Sequence, residues 1–166
     1  MELLVVRHAV AEDREAWAAS GKDDALRPLT LEGARRMKRA ARGLARVAPS
    51  IDLVASSPLL RAVETARILA PALGLERVLE IPELEPGARP GALWAWLEAR
   101  RAGAVAVVGH EPHLGRLVAW LVCGAPAPPL PLKKGGACLL RLGERGRRAA
   151  ELRWLASPSM LRRLGR

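Results

Sequence analysis

The chain has 166 residues, half of them hydrophobic and 27% charged. That length suits one domain that buries roughly 70% of its unfolded surface, and the composition argues against a disordered or a membrane-spanning chain. With 27 Lys and Arg against 17 Asp and Glu the net charge is +10, which favours an anionic partner over a cationic one. Four of the basic residues are lysines and the rest arginines, while Asn, Gln, Phe and Tyr are absent. Such a chain fits GC-rich coding, so part of its basicity is compositional bias. Cys123 and Cys138 form no Cys-x-x-Cys pair, so a disulfide framework, a zinc site and dithiol redox chemistry are not expected. No apolar run reaches the roughly 20 residues a bilayer requires. Met1–Arg7 carries neither a basic leader nor a cleavage pattern, so a cytoplasmic protein is expected.

Leu3 to Val6 is an unbroken apolar run, as are Leu53 to Ala55 and Ala104 to Val108. Short runs without polar alternation predict strands buried on both faces, as in a parallel sheet. The polar stretch from Ala11 to Leu26 reads as the longest mobile loop. Residues 31 to 48 read as a helix, with Thr30 as N-cap, Pro49 as stop and Ala34, Met37, Ala41, Leu44 and Ala48 on one face. Its arginines, Arg35, Arg39, Arg42 and Arg46, read as a solvated stripe. A second helix is predicted over 58–70, with Ser57 capping and Pro58 in the first turn. A third is expected over 91–101 and a fourth over 112–122. Residues 124 to 136 are Pro- and Gly-rich and read as a surface loop. Ala137–Leu142 and Ala150–Leu155, separated by Gly143 and Gly146, predict a late antiparallel pair, followed by a short helix from Pro158. The rhythm is that of an α/β fold: one domain over 1–166, a three-layer open sheet, mostly parallel with a late antiparallel edge, and helices on both faces.

Open sheets of this kind bind ligands beyond the C-terminal ends of their strands. His8 follows the first strand, with Arg7 beside it, and His110 follows the strand ending at Val108. Arg61 lies one turn inside the second helix. Side chains lean toward a helix N-terminus, so its guanidinium can reach back over the free N–H groups there, where an anion is favoured. Two imidazoles and two guanidiniums at strand and helix ends predict a phosphate site.

Arg7-His8-Ala9, Ser57 to Thr65 and Gly109-His110 together resemble the ordered motifs of the histidine phosphatase superfamily, the group that includes phosphoglycerate mutases. Asp24-Ala25-Leu26-Arg27-Pro28-Leu29-Thr30-Leu31-Glu32-Gly33 is similar to a segment of the short SixA-type phosphohistidine phosphatases. Val108–Leu114 and Leu132–Gly135 resemble that branch too. The resemblance covers nearly the whole chain. Two departures stand out: Ala9 replaces the superfamily glycine, and Glu64 a frequent glutamine. An acid in a phosphate pocket would weaken anion binding, so Glu64 is expected to face outward.

The resemblance implies a phosphatase in which His8 is the nucleophile, transiently phosphorylated and then hydrolysed. Arg7 and Arg61 would clamp the phosphoryl group and His110 would donate to it. The physics agrees: an attacking nitrogen must be neutral, and nearby guanidiniums disfavour imidazolium. Arg27, on the polar loop, is expected to be a third clamp or a gate for substrate. Glu83 sits where superfamily members often carry a proton donor, with Glu85 as a weaker candidate. His113 reads as structural. No cofactor and no metal are expected, because His8, His110 and His113 lack metalloprotease spacing and an accompanying carboxylate motif.

The expected partner is a phosphorylated protein carrying phosphohistidine, with inorganic phosphate as product. The reason is the short stretch between Arg61 and His110, which leaves little chain for a roof over the site. A small phosphate ester is the second choice. A nucleic-acid-binding module is the alternative of another class. The charge permits it, but the chain has no Phe or Tyr for stacking and its five tryptophans are scattered.

Overall fold

The computed structural model describes residues 1–124, 129–144 and 149–166. Its centre is one six-stranded sheet in the order β3-β2-β4-β1-β5-β6. The strands are β1 (Glu2–Arg7), β2 (Leu53–Ser56), β3 (Val78–Glu80), β4 (Ala104–Gly109), β5 (Ala137–Leu142) and β6 (Ala150–Ala156). β1, β2, β3 and β4 run parallel, whereas β5 pairs antiparallel with both β1 and β6. The mostly parallel α/β sheet with its late antiparallel edge is therefore as expected.

Alternation along β1 shows why its apolar run is continuous. Leu4 and Val6 enter one buried cluster, with Met37, Leu44 and Leu69. Leu3 and Val5 enter another, with Leu93, Leu117 and Leu121. Successive side chains point to opposite faces, so a strand covered on both sides must be apolar throughout. The first cluster packs under α2 (Leu31–Val47), α3 (Leu60–Ala72) and α6 (Pro158–Leu164), and the second under α4 (Pro90–Glu98) and α5 (His113–Cys123). Among the described residues, no helix is long and apolar enough to cross a membrane.

Thr30 caps α2 as predicted, its Oγ1 accepting from Gly33 N at 2.9 Å. α6 crosses α2 at backbone distance. A Cβ on Gly43 would stand 2.0 Å from the Leu161 carbonyl oxygen, so only glycine allows the approach.

Three expectations are corrected. Ser57 does not cap the second helix: α3 starts later, with Leu59 at its N-cap and no side-chain cap bond. The stretch from Ala11 to Leu26 is not a plain loop, because it holds α1 (Arg14–Ala19) and a 3-10 turn (Asp24–Leu26). The acceptors responsible are Asp13, which takes N–H bonds from Glu15 and Ala16, and Asp23, which takes one from Ala25. The third helix ends at Glu98, short of residue 101. Residues 125–128 of the expected 124–136 loop, and Gly146 of the turn after β5, lie outside the described residues.

Candidate active site

β1 and β4 are neighbours, and their C-terminal ends bring His8 and His110 together. The ring centroids are 5.0 Å apart. His8 N donates to the Gly109 carbonyl at 3.0 Å, so one strand end is stitched to the other. The rings open onto a cavity of about 290 Å³, lined also by Arg7, Arg14, Arg27, Arg61, Lys134, Glu12, Asp13, Pro86 and Glu111. Cations outnumber acids in this lining, as an anion site requires.

His8 is buried, and its Nδ1 lies 2.7 Å from the Ala9 carbonyl oxygen. A carbonyl only accepts, so the proton sits on Nδ1 and the lone pair on Nε2. Burial pushes the His8 pKa down to about 3. The Ala9 hydrogen bond opposes this, and the charges of Arg61, Arg7 and Lys134 add to it. His110 is likewise held near 3, by burial first and then by His8, Arg61 and His113. Both rings are therefore neutral at pH 7.

A hydrogen-bond chain through α3 holds His8 in place. Thr65 Oγ1 donates to the Arg61 carbonyl at 2.7 Å and accepts from Ala9 N at 3.0 Å. Ala9 in turn accepts from His8 through its carbonyl. The Arg-Ala-x-x-Thr spacing thus puts Arg61 in the cavity and, one helical turn later, places the hydroxyl that sets the loop after β1. Ser57 has a different role from the predicted cap: its Oγ is hydrogen-bonded to His110 Nε2 at 2.9 Å.

The arginines are anchored by the protein rather than loosely exposed. Arg7 donates to the Leu132 carbonyl at 2.8 Å, while Glu111 accepts from Leu132 N at 3.0 Å. Arg61 donates to the Asp24 carbonyl at 2.8 Å and to its carboxylate at 3.0 Å. Arg27 donates to the other carboxylate oxygen at 2.8 Å and to the Glu12 carbonyl at 2.8 Å. Partial burial alone would raise the Asp24 pKa. The hydrogen bond from Arg27 and the charges of Arg61, Arg27 and Arg14 outweigh that and hold the carboxyl below its ordinary value. The Nε groups of Arg7 and Arg61 are buried without a partner. Buried, unpaired guanidinium donors are costly and suit a site completed by an anionic ligand.

Arg7, His8, Arg27, Arg61 and His110 thus line one cavity. Glu83 does not join them: neither it nor Glu85 lines the cavity. The 3-10 turn Pro82–Leu84 sinks Leu84 into the core, and one carboxylate oxygen of Glu83 is buried there without a hydrogen-bond partner. The carboxylates at the cavity are Glu12, Asp13 and Glu111. Glu64 also stays out of the cavity, and it accepts from Leu29 N at 2.6 Å, tying α3 to the loop before α2. His113 is buried with both ring nitrogens unpartnered. Sequence reading missed Asp24, Thr65 and Glu111 as working residues, although all three lie in the quoted motifs. Among the described residues no group of three or more His, Cys, Asp or Glu is arranged to hold a metal ion.

Residues 3–86 match the family described as histidine phosphatase superfamily (branch 1). Over 134 residues the chain is 33% identical to the phosphohistidine phosphatase SixA of Escherichia coli, covering 78% of this chain and 79% of that one. It is 38% identical over 146 residues to an uncharacterised protein of Picosynechococcus sp., covering 86% of each. Among solved structures, the protein histidine phosphatase SixA complexed with tungstate superimposes with a TM-score of 0.83 at 30% identity, over 97% of this chain and 99% of that one. The family match and the SixA relationship agree with the paired imidazoles and the arginines around them, and the chain belongs to the histidine phosphatase superfamily as a SixA-like phosphatase.

Proposed function

We propose that the chain hydrolyses phosphohistidine on a protein substrate through a covalent intermediate on His8, without a metal. The observation that carries this reading is the neutral His8 ring, with its proton committed to Ala9 and its Nε2 lone pair free beside Arg7, Arg61 and His110. Similarity to SixA, a protein histidine phosphatase, supports the substrate class. Tungstate, the ion in that relative's complex, is a tetrahedral oxyanion like phosphate.

The reaction follows from these groups. Arg7 and Arg61 hold the phosphoryl oxygens, with Arg27 closing the loop side. The His8 Nε2 lone pair forms a bond to phosphorus as the phosphorus–nitrogen bond of the substrate breaks. The electron pair of that bond stays on the departing nitrogen. When the other ring nitrogen of the substrate carries a proton, the leaving group is neutral imidazole, whose conjugate acid has a pKa of about 6.5. An alkoxide leaving group would need a proton donor instead. No step uses Glu83. His110 donates to a phosphoryl oxygen as negative charge builds, and the fixed cations stabilise that charge without reorganising. Water then attacks phosphorus, the bond to His8 breaks, and inorganic phosphate leaves.

Rapid quench with a phosphohistidine peptide tests this. Acid-labile phosphate appears on His8 of the wild type, and His8→Ala stays folded but loses turnover. Activity also survives exhaustive chelation. Undiminished turnover by His8→Ala rules out the nucleophile, and loss on chelation restored by a divalent ion rules out the metal-free reading.

A further inference from the structure

A second cavity, of about 190 Å³, adjoins the phosphate cavity. Met37 and Ala40 of α2 give it an apolar floor, while Lys134, Arg36 and Arg162 stand at its rim. Lys134 lines both cavities, and its charge bears directly on His8. Ala9 lines the second cavity while His8 lines the first, so the two abut at the end of β1.

The lining of this second cavity contains no acidic residue. Glu32, which shares a neighbouring surface with Arg36 and Arg162, is already held by Arg35 and Arg36 at 2.7 Å each. No carboxylate among the described residues pairs with Lys134 or Arg162. Arg162 is set in place by its neighbour Leu161, which is fully buried where α6 crosses α2. A cavity of this kind suits a group with a short apolar stem and an anionic head. The stem packs on Met37 and Ala40, and the head meets charge-assisted donors. An aspartate or glutamate side chain has that shape.

We propose that this cavity is a specificity subsite that takes a carboxylate side chain flanking the phosphorylated histidine of a protein substrate. The inference rests on the phosphohistidine reading of the first cavity and names a feature of the protein recognised there. Lys134 bridges the two anions, the phosphoryl group on one side and the flanking carboxylate on the other.

The test compares kcat/KM for free phosphohistidine and for paired phosphohistidine peptides that differ only in Glu or Gln at positions flanking the modified residue. The Glu peptide is favoured at least fivefold, and the preference shrinks as salt screens the cations. Arg162→Ala and Arg36→Ala each remove most of the preference, Arg162→Lys keeps part of it, and all three hydrolyse free phosphohistidine at the wild-type rate. Equal rates on the two peptides, with free phosphohistidine still hydrolysed, overturn the subsite and leave the first cavity's reading intact. An equal loss by Arg162→Ala on every substrate overturns it as well, since the arginine then only supports the fold. A small phosphate ester bearing a carboxylate that outcompetes the Glu peptide overturns the protein occupant. Failure to hydrolyse any phosphohistidine substrate overturns both readings together.

Discussion

The Thr65 hydroxyl decides where His8 points, although it never reaches the cavity. It accepts from Ala9 N, and the Ala9 carbonyl fixes the His8 tautomer. Thr65→Val keeps the shape but leaves that buried N–H without a partner, at a cost of about 1–3 kcal/mol. Denaturant unfolding should show this loss of stability. Kinetics should show kcat falling more than KM rises, because the imidazole is less well aimed while the arginines still bind the phosphoryl group. Thr65→Ser should recover most of both. A Thr65→Val enzyme with wild-type kcat would show that the hydroxyl serves the fold alone. Asp24 has a comparable indirect part, holding Arg27 and Arg61 by one carboxylate and keeping the two guanidiniums side by side.

Helix packing places the loop that carries Arg27. α2 begins against that loop, where a Cβ on Gly33 would stand 2.0 Å from the Val10 carbonyl oxygen. Along the same helix Gly43 admits α6. Gly43→Ala must push α6 off its seat, and overpacking of this kind costs about 1–3 kcal/mol. The expected result is a lower denaturant midpoint with an unchanged slope. Unchanged stability would mean that α6 shifts freely, and that Arg162 is not rigidly placed. The 11–26 stretch illustrates the limits of composition. Its polar residues read as a loop, yet Asp13 and Asp23 accept backbone N–H bonds and start short helical turns there.

Acid stability of the whole protein follows from the buried imidazoles, of which His8 and His110 are shifted furthest while burial also lowers His113. In the unfolded chain these rings take up protons below about 6.5, whereas in the fold His8 and His110 stay neutral down to about 3. The unfolded state therefore binds more protons across that window, and stability is complete above it and falls as pH drops through it. Asp24 adds to the loss at the acid end, since its carboxyl is held below its ordinary value. The melting temperature should fall steadily from pH 6.5 toward pH 3, and a His8→Asn, His110→Asn double variant should show a shallower fall. NMR titration of the wild-type rings should show no inflection for His8 or His110 between pH 5 and 8. An inflection near 6.5 would mean that His8 is not held neutral by its surroundings.

Periodicity and end signals were enough to read the sheet and its main helices. Two-sided burial demands the continuous apolar runs of β1 and β4, and Thr30 and Pro49 mark the ends of α2. Arg7, His8, Arg61 and His110 were legible as candidates because strand ends and first helical turns are where this architecture puts its ligand groups, whereas Arg27, at the end of a 3-10 turn, was suggested only by the family resemblance. Whether Glu83 reaches the cavity could not be read from local pattern, because its carboxylate, with one oxygen buried and unpartnered, is placed by the packing of the turn that holds Leu84. Ser57 was taken for a helix cap, and Thr65, Asp24 and Glu111 went unassigned, because each works through a partner distant in sequence: His110, Ala9, Arg61 and Leu132. The adjoining cationic cavity is likewise built from four separate segments, the loop after β1, α2, the chain before β5 and α6. Short-range chemistry sets elements and their ends, whereas hydrogen-bond partners and cavities arise only when the sheet order brings remote segments within a few ångströms of each other.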